Sequence, residues 1–168
     1  MNAEQLRALQ APIKAQYKSD PASAVKTMTV QGRLDGPGLT CTVDTKLGPG
    51  RAGLHPAAGG DGTDLCSGDM LLESLVACAG VTLRAVATAM EIPLRGGTIT
   101  ARGVMDFRGT LGVSKEAPVG FQSIELEFAL DTDAPPEKIE TLLKLTERYC
   151  VISQTLKSPP VQTWRWRR

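Results

Sequence analysis

Residues 70–90 read MLLESLVACAGVTLRAVATAM. Among these 21 residues only Glu73 and Arg84 are charged, and they lie 11 positions apart. At about 100° per residue, that separation puts them within roughly 20° of one another on a helix. One narrow stripe is polar, and the rest of the circumference is Leu, Val, Ala, Met and Cys, with the small residues Ala77, Ala79 and Gly80. The pattern predicts a central helix buried nearly all round. Ser67 is placed to cap it, Asp69 to sit in its first turn and Pro93 to stop it. One chain offers few elements to cover such a helix, so a second copy is expected to bury part of it, as a homodimer.

The sequence on either side reads as strands and further helices. Leu6, Leu9, Ile13 and Tyr17 recur at helical spacing around Pro12, predicting an N-terminal helical arm over residues 1–20. Strands are expected over Val25–Leu34 and Leu39–Leu47, joined as a hairpin by Asp35-Gly36-Pro37-Gly38. Residues 48–68 are dense in glycine and are expected to form a long loop. Beyond the central helix, strands are read over Gly97–Arg108 and Ser123–Asp131; in the second, Ile124, Leu126, Phe128 and Leu130 alternate with Glu125, Glu127 and Ala129. Thr132 or Asp133 is expected to open a helix running to about Tyr149, with Ile139, Leu142, Leu143 and Leu145 as its apolar face. A short helix over Cys150–Leu156 and a last strand over Val161–Arg165 complete an α+β fold.

Composition narrows the function. Hydrophobic residues at 42% against 22% charged supply a core, and 168 residues fit one ordinary domain. With 19 Lys and Arg against 18 Asp and Glu there is no broad basic field, so neither a nucleic acid nor a membrane partner is expected. The opening Met1-Asn2-Ala3-Glu4-Gln5 lacks the features of a secretory leader, and no apolar run is read as membrane-spanning; the expected location is cytoplasmic. The four cysteines include no CxxC pair and there is one His, which argues against a zinc site and predicts no metal or cofactor.

Three local patterns invite a function and lose it on context. Gly48-Pro49-Gly50-Arg51-Ala52-Gly53 spells a dinucleotide-binding fingerprint, but Leu54-His55-Pro56 follows where a helix is required. His55 reads as an ordinary loop histidine. Thr163-Trp164-Arg165-Trp166-Arg167-Arg168 has the composition of a base-stacking or membrane-surface segment, yet the near-zero net charge favours an edge strand with packed tryptophans and solvated arginines.

Cys41 reads as a small buried hydrophobe and Cys66 lies just before the central helix, whereas Cys78 and Cys150 carry more. The run Ser67-Gly68-Asp69-Met70-Leu71-Leu72-Glu73-Ser74-Leu75-Val76-Ala77-Cys78-Ala79-Gly80 resembles the central-helix motif of the osmotically inducible protein C and organic hydroperoxide resistance (OsmC/Ohr) family. Glu147-Arg148-Tyr149-Cys150-Val151-Ile152-Ser153-Gln154-Thr155-Leu156 is similar to that family's second cysteine motif, and 72 residues separate the two cysteines. The element order and the glycine-rich segment agree over roughly residues 24–165, so residues 21–168 are read as one OsmC-like domain.

The resemblance implies a thiol-dependent peroxidase acting on organic hydroperoxides, built as an intertwined homodimer with antiparallel sheets around the buried helix. It implies Cys78 as peroxidatic and Cys150 as resolving cysteine, with an external dithiol as reductant. The family's Glu nine or ten positions before the first cysteine is here Asp69 or Gly68, the proline after the second is Val151, and the activating arginine is Arg51 or Arg33. Because Cys78 lies about 16 Å along its helix, beyond the reach of that helix's own dipole, an activating cation from another segment is expected, and Arg51 on the glycine-rich segment is the better candidate. Asp69, about 180° round and roughly 13.5 Å from Cys78 along the helix, suits a site shared between subunits. The apolar surroundings of Cys78 favour alkyl over hydrogen peroxide. The competing expectation is an OsmC-like protein that has lost peroxidase chemistry and binds an apolar ligand at the dimer interface.

Overall fold

The computed structural model describes every residue except Asp35 and Pro37. In chain order the elements are α1 (Ala3–Ser19), a 3-10 turn (Pro21–Ala24), β1 (Gly32–Arg33), β2 (Cys41–Thr45), β3 (Gly48–Gly53), a second 3-10 turn (Pro56–Ala58), β4 (Leu65–Cys66), α2 (Ser67–Ala89), β5 (Gly96–Met105), α3 (Phe107–Thr110), β6 (Phe121–Asp131), α4 (Pro136–Tyr149) and α5 (Val151–Lys157). The fold is α+β. Its residues gather into two compact units, one of residues 1–10, 74–99 and 128–168 and the other of residues 11–73 and 100–127.

The second unit holds a four-stranded sheet in the order β1-β2-β3-β4. β1 pairs antiparallel with β2 through Gly32↔Val43 and Arg33↔Thr42, far shorter than the predicted Val25–Leu34 strand. The expected turn between them falls partly outside the described residues. β2 continues antiparallel into β3, with Cys41 opposite Ala52 and Thr45 opposite Gly48. This corrects the loop expected from Gly48: the two-residue turn Lys46-Leu47 folds the glycine-rich segment back on β2, and pairing imposes a strand that its composition disfavours. β4 then pairs parallel with β3, Ala52 to Leu65 and Gly53 to Cys66, and runs directly into α2.

The first unit carries the buried core. Leu83 and Ala87 of α2, Ile92 and the fully enclosed Leu142 of α4 form its centre, with Val86, Ile99, Phe128, Leu130 and Ile139 packed round them. The alternation predicted in β6 is observed, with Phe128 and Leu130 half-buried and Ala129 and Asp131 exposed. β5 pairs with β6, and Gly97, at φ +145°, permits the approach: a Cβ there would lie 2.4 Å from the Ala129 carbonyl oxygen. Arg95 bridges Asp131 at 2.7 Å and also grips Asp133. α4 starts after Pro135 with no side-chain cap. Thr132 instead donates to the Pro93 carbonyl at 2.6 Å and accepts from the Ala134 N–H, which ties the strand end to the loop after α2.

α2 begins at Ser67 itself, so Ser67 is its first helical residue and not its cap. Within one chain its buried residues form a single stripe, Leu75, Ala79, Leu83 and Ala87, four residues apart. The expectation of burial nearly all round is not met by one copy: Val81 is 73% exposed. Its 23 residues, with an 18-residue window of mean hydropathy 1.6, are long and apolar enough to cross a membrane by length and composition, which corrects the earlier reading; the core helix of a soluble protein meets the same test. The predicted Val161–Arg165 strand is absent: residues 159–168 form neither helix nor strand and are exposed.

Candidate active site

Cys78 lies midway along α2, half-buried, one residue before the core stripe at Ala79. Cys150 lies where α4 ends, 1% exposed. Its backbone is extended at φ −71° and ψ 108°, so α4 stops there and α5 starts at Val151. The Cys150 N–H still closes α4 on Thr146 O at 2.9 Å, and its carbonyl accepts the Gln154 N–H of α5 at 2.9 Å. One residue thus serves two helices. The turn is braced by Gln154 Nε2 donating to Glu147 O at 2.8 Å and by a Lys157–Glu147 ion pair. Beneath it the buried Thr146 hydroxyl returns to Leu142 O at 2.8 Å, which keeps a polar side chain satisfied in the core.

This arrangement brings the Cys78 and Cys150 side chains close enough for each to act on the other's pKa. Burial alone pushes the Cys78 thiol up, but the Ile152 N–H, the Cys150 thiol, the Val151 N–H and the Thr82 hydroxyl all point at its sulfur and together hold its pKa below the ordinary thiol value. The first N–H groups of a helix have no acceptor within it, so Val151 and Ile152 are free to donate to sulfur. Burial raises the pKa of Cys150; the Ser153 and Ile152 N–H groups oppose this, while the hydrogen bond it donates to Cys78 and the Cys78 charge add to it. The two thiols are therefore pushed in opposite directions, Cys78 towards easier ionisation and Cys150 away from it.

Thr82 and the two backbone donors escaped the sequence reading. Thr82 was visible as a polar residue one turn beyond Cys78 in an apolar helix. The backbone donors follow from a helix starting immediately after Cys150. The faded dipole of α2 is therefore no obstacle to an anionic Cys78, because α5 supplies donors that α2 cannot.

The other predicted residues lie in the second unit. Arg51, on β3, is paired with Asp64, Nε to Oδ1 at 2.8 Å and Nη2 to Oδ2 at 3.1 Å. Gly53 makes room for that pair, since a Cβ there would lie 2.8 Å from the Asp64 Cβ. Asp69 is exposed in the first turn of α2. Arg33 is held by Asp44 at 2.5 and 2.6 Å. His55 accepts the Ala57 N–H at 3.0 Å and stacks on Phe107 at 4.9 Å, as an ordinary loop histidine would. Cys41 and Cys66 are half-buried at strand positions. The fingerprint-like glycines 48–53 are β3, and no helix opens at Gly53.

The sequence model of the OsmC-like protein family matches residues 60–165, which includes both cysteines. Solved structures agree in fold at low identity. An OsmC-like protein from Mycoplasma pneumoniae superposes with a TM-score of 0.67 at 16% identity, covering 80% of this chain and 89% of that one. An organic hydroperoxide resistance protein OsmC from Legionella pneumophila gives 0.61 at 18%, covering 80% and 91%. An organic hydroperoxide resistance protein from Elizabethkingia anophelis gives 0.60 at 15%, again covering 80% and 91%. The sequence matches no curated protein.

Proposed function

The chain belongs to the OsmC-like protein family, and from that premise we propose that it reduces organic hydroperoxides to alcohols with Cys78 as peroxidatic and Cys150 as resolving cysteine. The observation that carries this reading is the contact between a half-buried cysteine with a lowered pKa and a buried one that keeps its proton. The hydroperoxide resistance proteins among its structural relatives support the substrate class.

In the first step the Cys78 thiolate attacks the terminal peroxide oxygen. The O–O bond breaks, sulfur is oxidised by two electrons to a sulfenic acid, and the alkoxide takes up a proton and leaves as the alcohol. A neutral sulfenic acid no longer presents the charge and the anionic acceptor that keep Cys150 protonated. Cys150 then gives up its proton more readily and displaces hydroxide from the Cys78 sulfur; the two combine as water, and a disulfide forms. An external dithiol restores both thiols by exchange, ending as a disulfide itself. Arg51 is proposed to strengthen the thiolate and Asp69 to act at a site completed by the second subunit of a homodimer. The apolar side chains along α2 suit an alkyl better than a hydrogen peroxide substrate.

The test is treatment with cumene hydroperoxide followed by mass spectrometry under non-reducing conditions. A Cys78–Cys150 disulfide is expected in the wild type, a persistent or overoxidised Cys78 in Cys150→Ser, and no turnover in Cys78→Ser. Arg51→Ala is expected to slow the first step while leaving the disulfide as product. An unmodified Cys78 together with no peroxide consumed would transfer the assignment to apolar ligand binding.

A further inference from the structure

Residues 158–168, SPPVQTWRWRR, take no part in the chemistry above. From Arg148 onward the chain holds five of its 19 Lys and Arg, namely Arg148, Lys157, Arg165, Arg167 and Arg168, and none of its 18 Asp and Glu. A net charge of +1 thus conceals an acidic body and a basic end. Both tryptophans of the protein lie in this end, and the sequence reading expected them packed. The structure leaves Trp164 and Trp166 90% and 81% exposed. The Arg168 guanidinium sits over the Trp166 ring, 5.8 Å from its centroid. Pro159-Pro160 follow α5 and end helical structure, and residues 159–168 form neither helix nor strand.

Indole belongs at a boundary between apolar and wet surroundings, and guanidinium pairs with phosphate in a fork. We infer that residues 158–168 bind the surface of an anionic lipid bilayer, with the two indoles among the headgroups and the arginines on lipid phosphates. A single-stranded nucleic acid also stacks on tryptophan, but such binding uses a basic groove that follows the strand. This segment has no secondary structure from which to build a groove. A bilayer needs no groove, because it supplies the surface itself. The inference is independent of the peroxidase reading.

Because Trp164 and Trp166 are the only tryptophans, intrinsic fluorescence of the full chain reports on this segment alone. Titration with vesicles of equal parts phosphatidylglycerol and phosphatidylcholine is expected to shift the emission to the blue and to carry the protein down with the vesicles. Pure phosphatidylcholine vesicles should do neither, and added salt should release the protein. Each arginine replaced by alanine is expected to weaken partition about fivefold, so Arg165→Ala, Arg167→Ala and Arg168→Ala together cost about a hundredfold. Trp164→Ala with Trp166→Ala, followed by sedimentation, should also release the protein. Far-UV circular dichroism should be unchanged throughout, since the segment lies outside the helices and strands. The inference is overturned by absence of a shift with anionic vesicles, by equal binding to neutral ones, or by an arginine-free variant that binds as well as the wild type. It is also overturned if emission is already blue without lipid, which would mark indoles covered by a second copy, or if oligothymidine binds more tightly than the vesicles.

Discussion

Cys78 and Cys150 have the same side chain and act on one another, yet their surroundings push their pKa values in opposite directions. Labelling with iodoacetamide checks this directly. Cys78 is expected to react first, with a rate that rises with pH through an inflection below the ordinary thiol value, while Cys150 stays protonated and slow. Labelling of Cys150 ahead of Cys78 at pH 7 would contradict the assignment. Thr82→Val removes one donor from the Cys78 sulfur without changing the shape of the side chain much. The inflection should move up and the rate at pH 7 should fall severalfold, with the far-UV spectrum unchanged. The two cysteines stood out in the sequence through their motifs; Thr82 went unread, although its place one turn beyond Cys78 in an apolar helix was a signal. The donors at Val151 and Ile152 were not legible, because a backbone N–H carries no mark of residue type; it becomes available only where a helix starts.

Elements were most legible where one segment contains its own reason to form. α2 has its apolar content and α4 its periodic leucines, and both lie within a few residues of expectation. β6 announced itself by alternation. β3 did not, because glycine and proline disfavour a strand and only the hairpin from β2 imposes one. The short β1 fails in the opposite sense, since a strand-like sequence over residues 25–34 finds a partner for two residues only. The energetics follow burial more than propensity. Leu142, fully enclosed between α4 and the α2 core residues, is the side chain whose loss should cost most: Leu142→Ala is expected to lower stability by about 2–5 kcal/mol in urea unfolding. It should also loosen the start of α5, because the Thr146 hydroxyl and the Cys150 N–H are anchored one and two turns beyond it. Slower labelling of Cys78 in this variant at pH 7, measured well below the unfolding midpoint, would confirm that packing in α4 sets the geometry of the pair.

At the scale of the molecule, one chain leaves apolar surface uncovered. Val81 points out from α2, and an open cavity of about 350 Å³ beside it is lined by Gly80, Leu83, Leu94, Ile99 and Leu130. A helix this apolar, with one buried stripe, has the surface of an element that meets a second copy. The sequence pointed to that surface through residues 70–90, but it could not say how much of the helix its own chain would cover, since that depends on contacts made by distant segments. The expected species in sedimentation at micromolar concentration is a homodimer. Val81→Asp should weaken it by roughly a hundredfold or more, because an aspartate on that surface would be desolvated without a partner when the copies meet. The isolated variant chain should keep its helical spectrum, since Val81 contributes little to the core of one copy. A wild-type chain that sediments as a stable, well-folded monomer would remove the dimer from this account, and with it the shared site proposed for Asp69. The contact of Cys78 with Cys150 lies within one chain, so the disulfide experiment would remain decisive for the peroxidase reading.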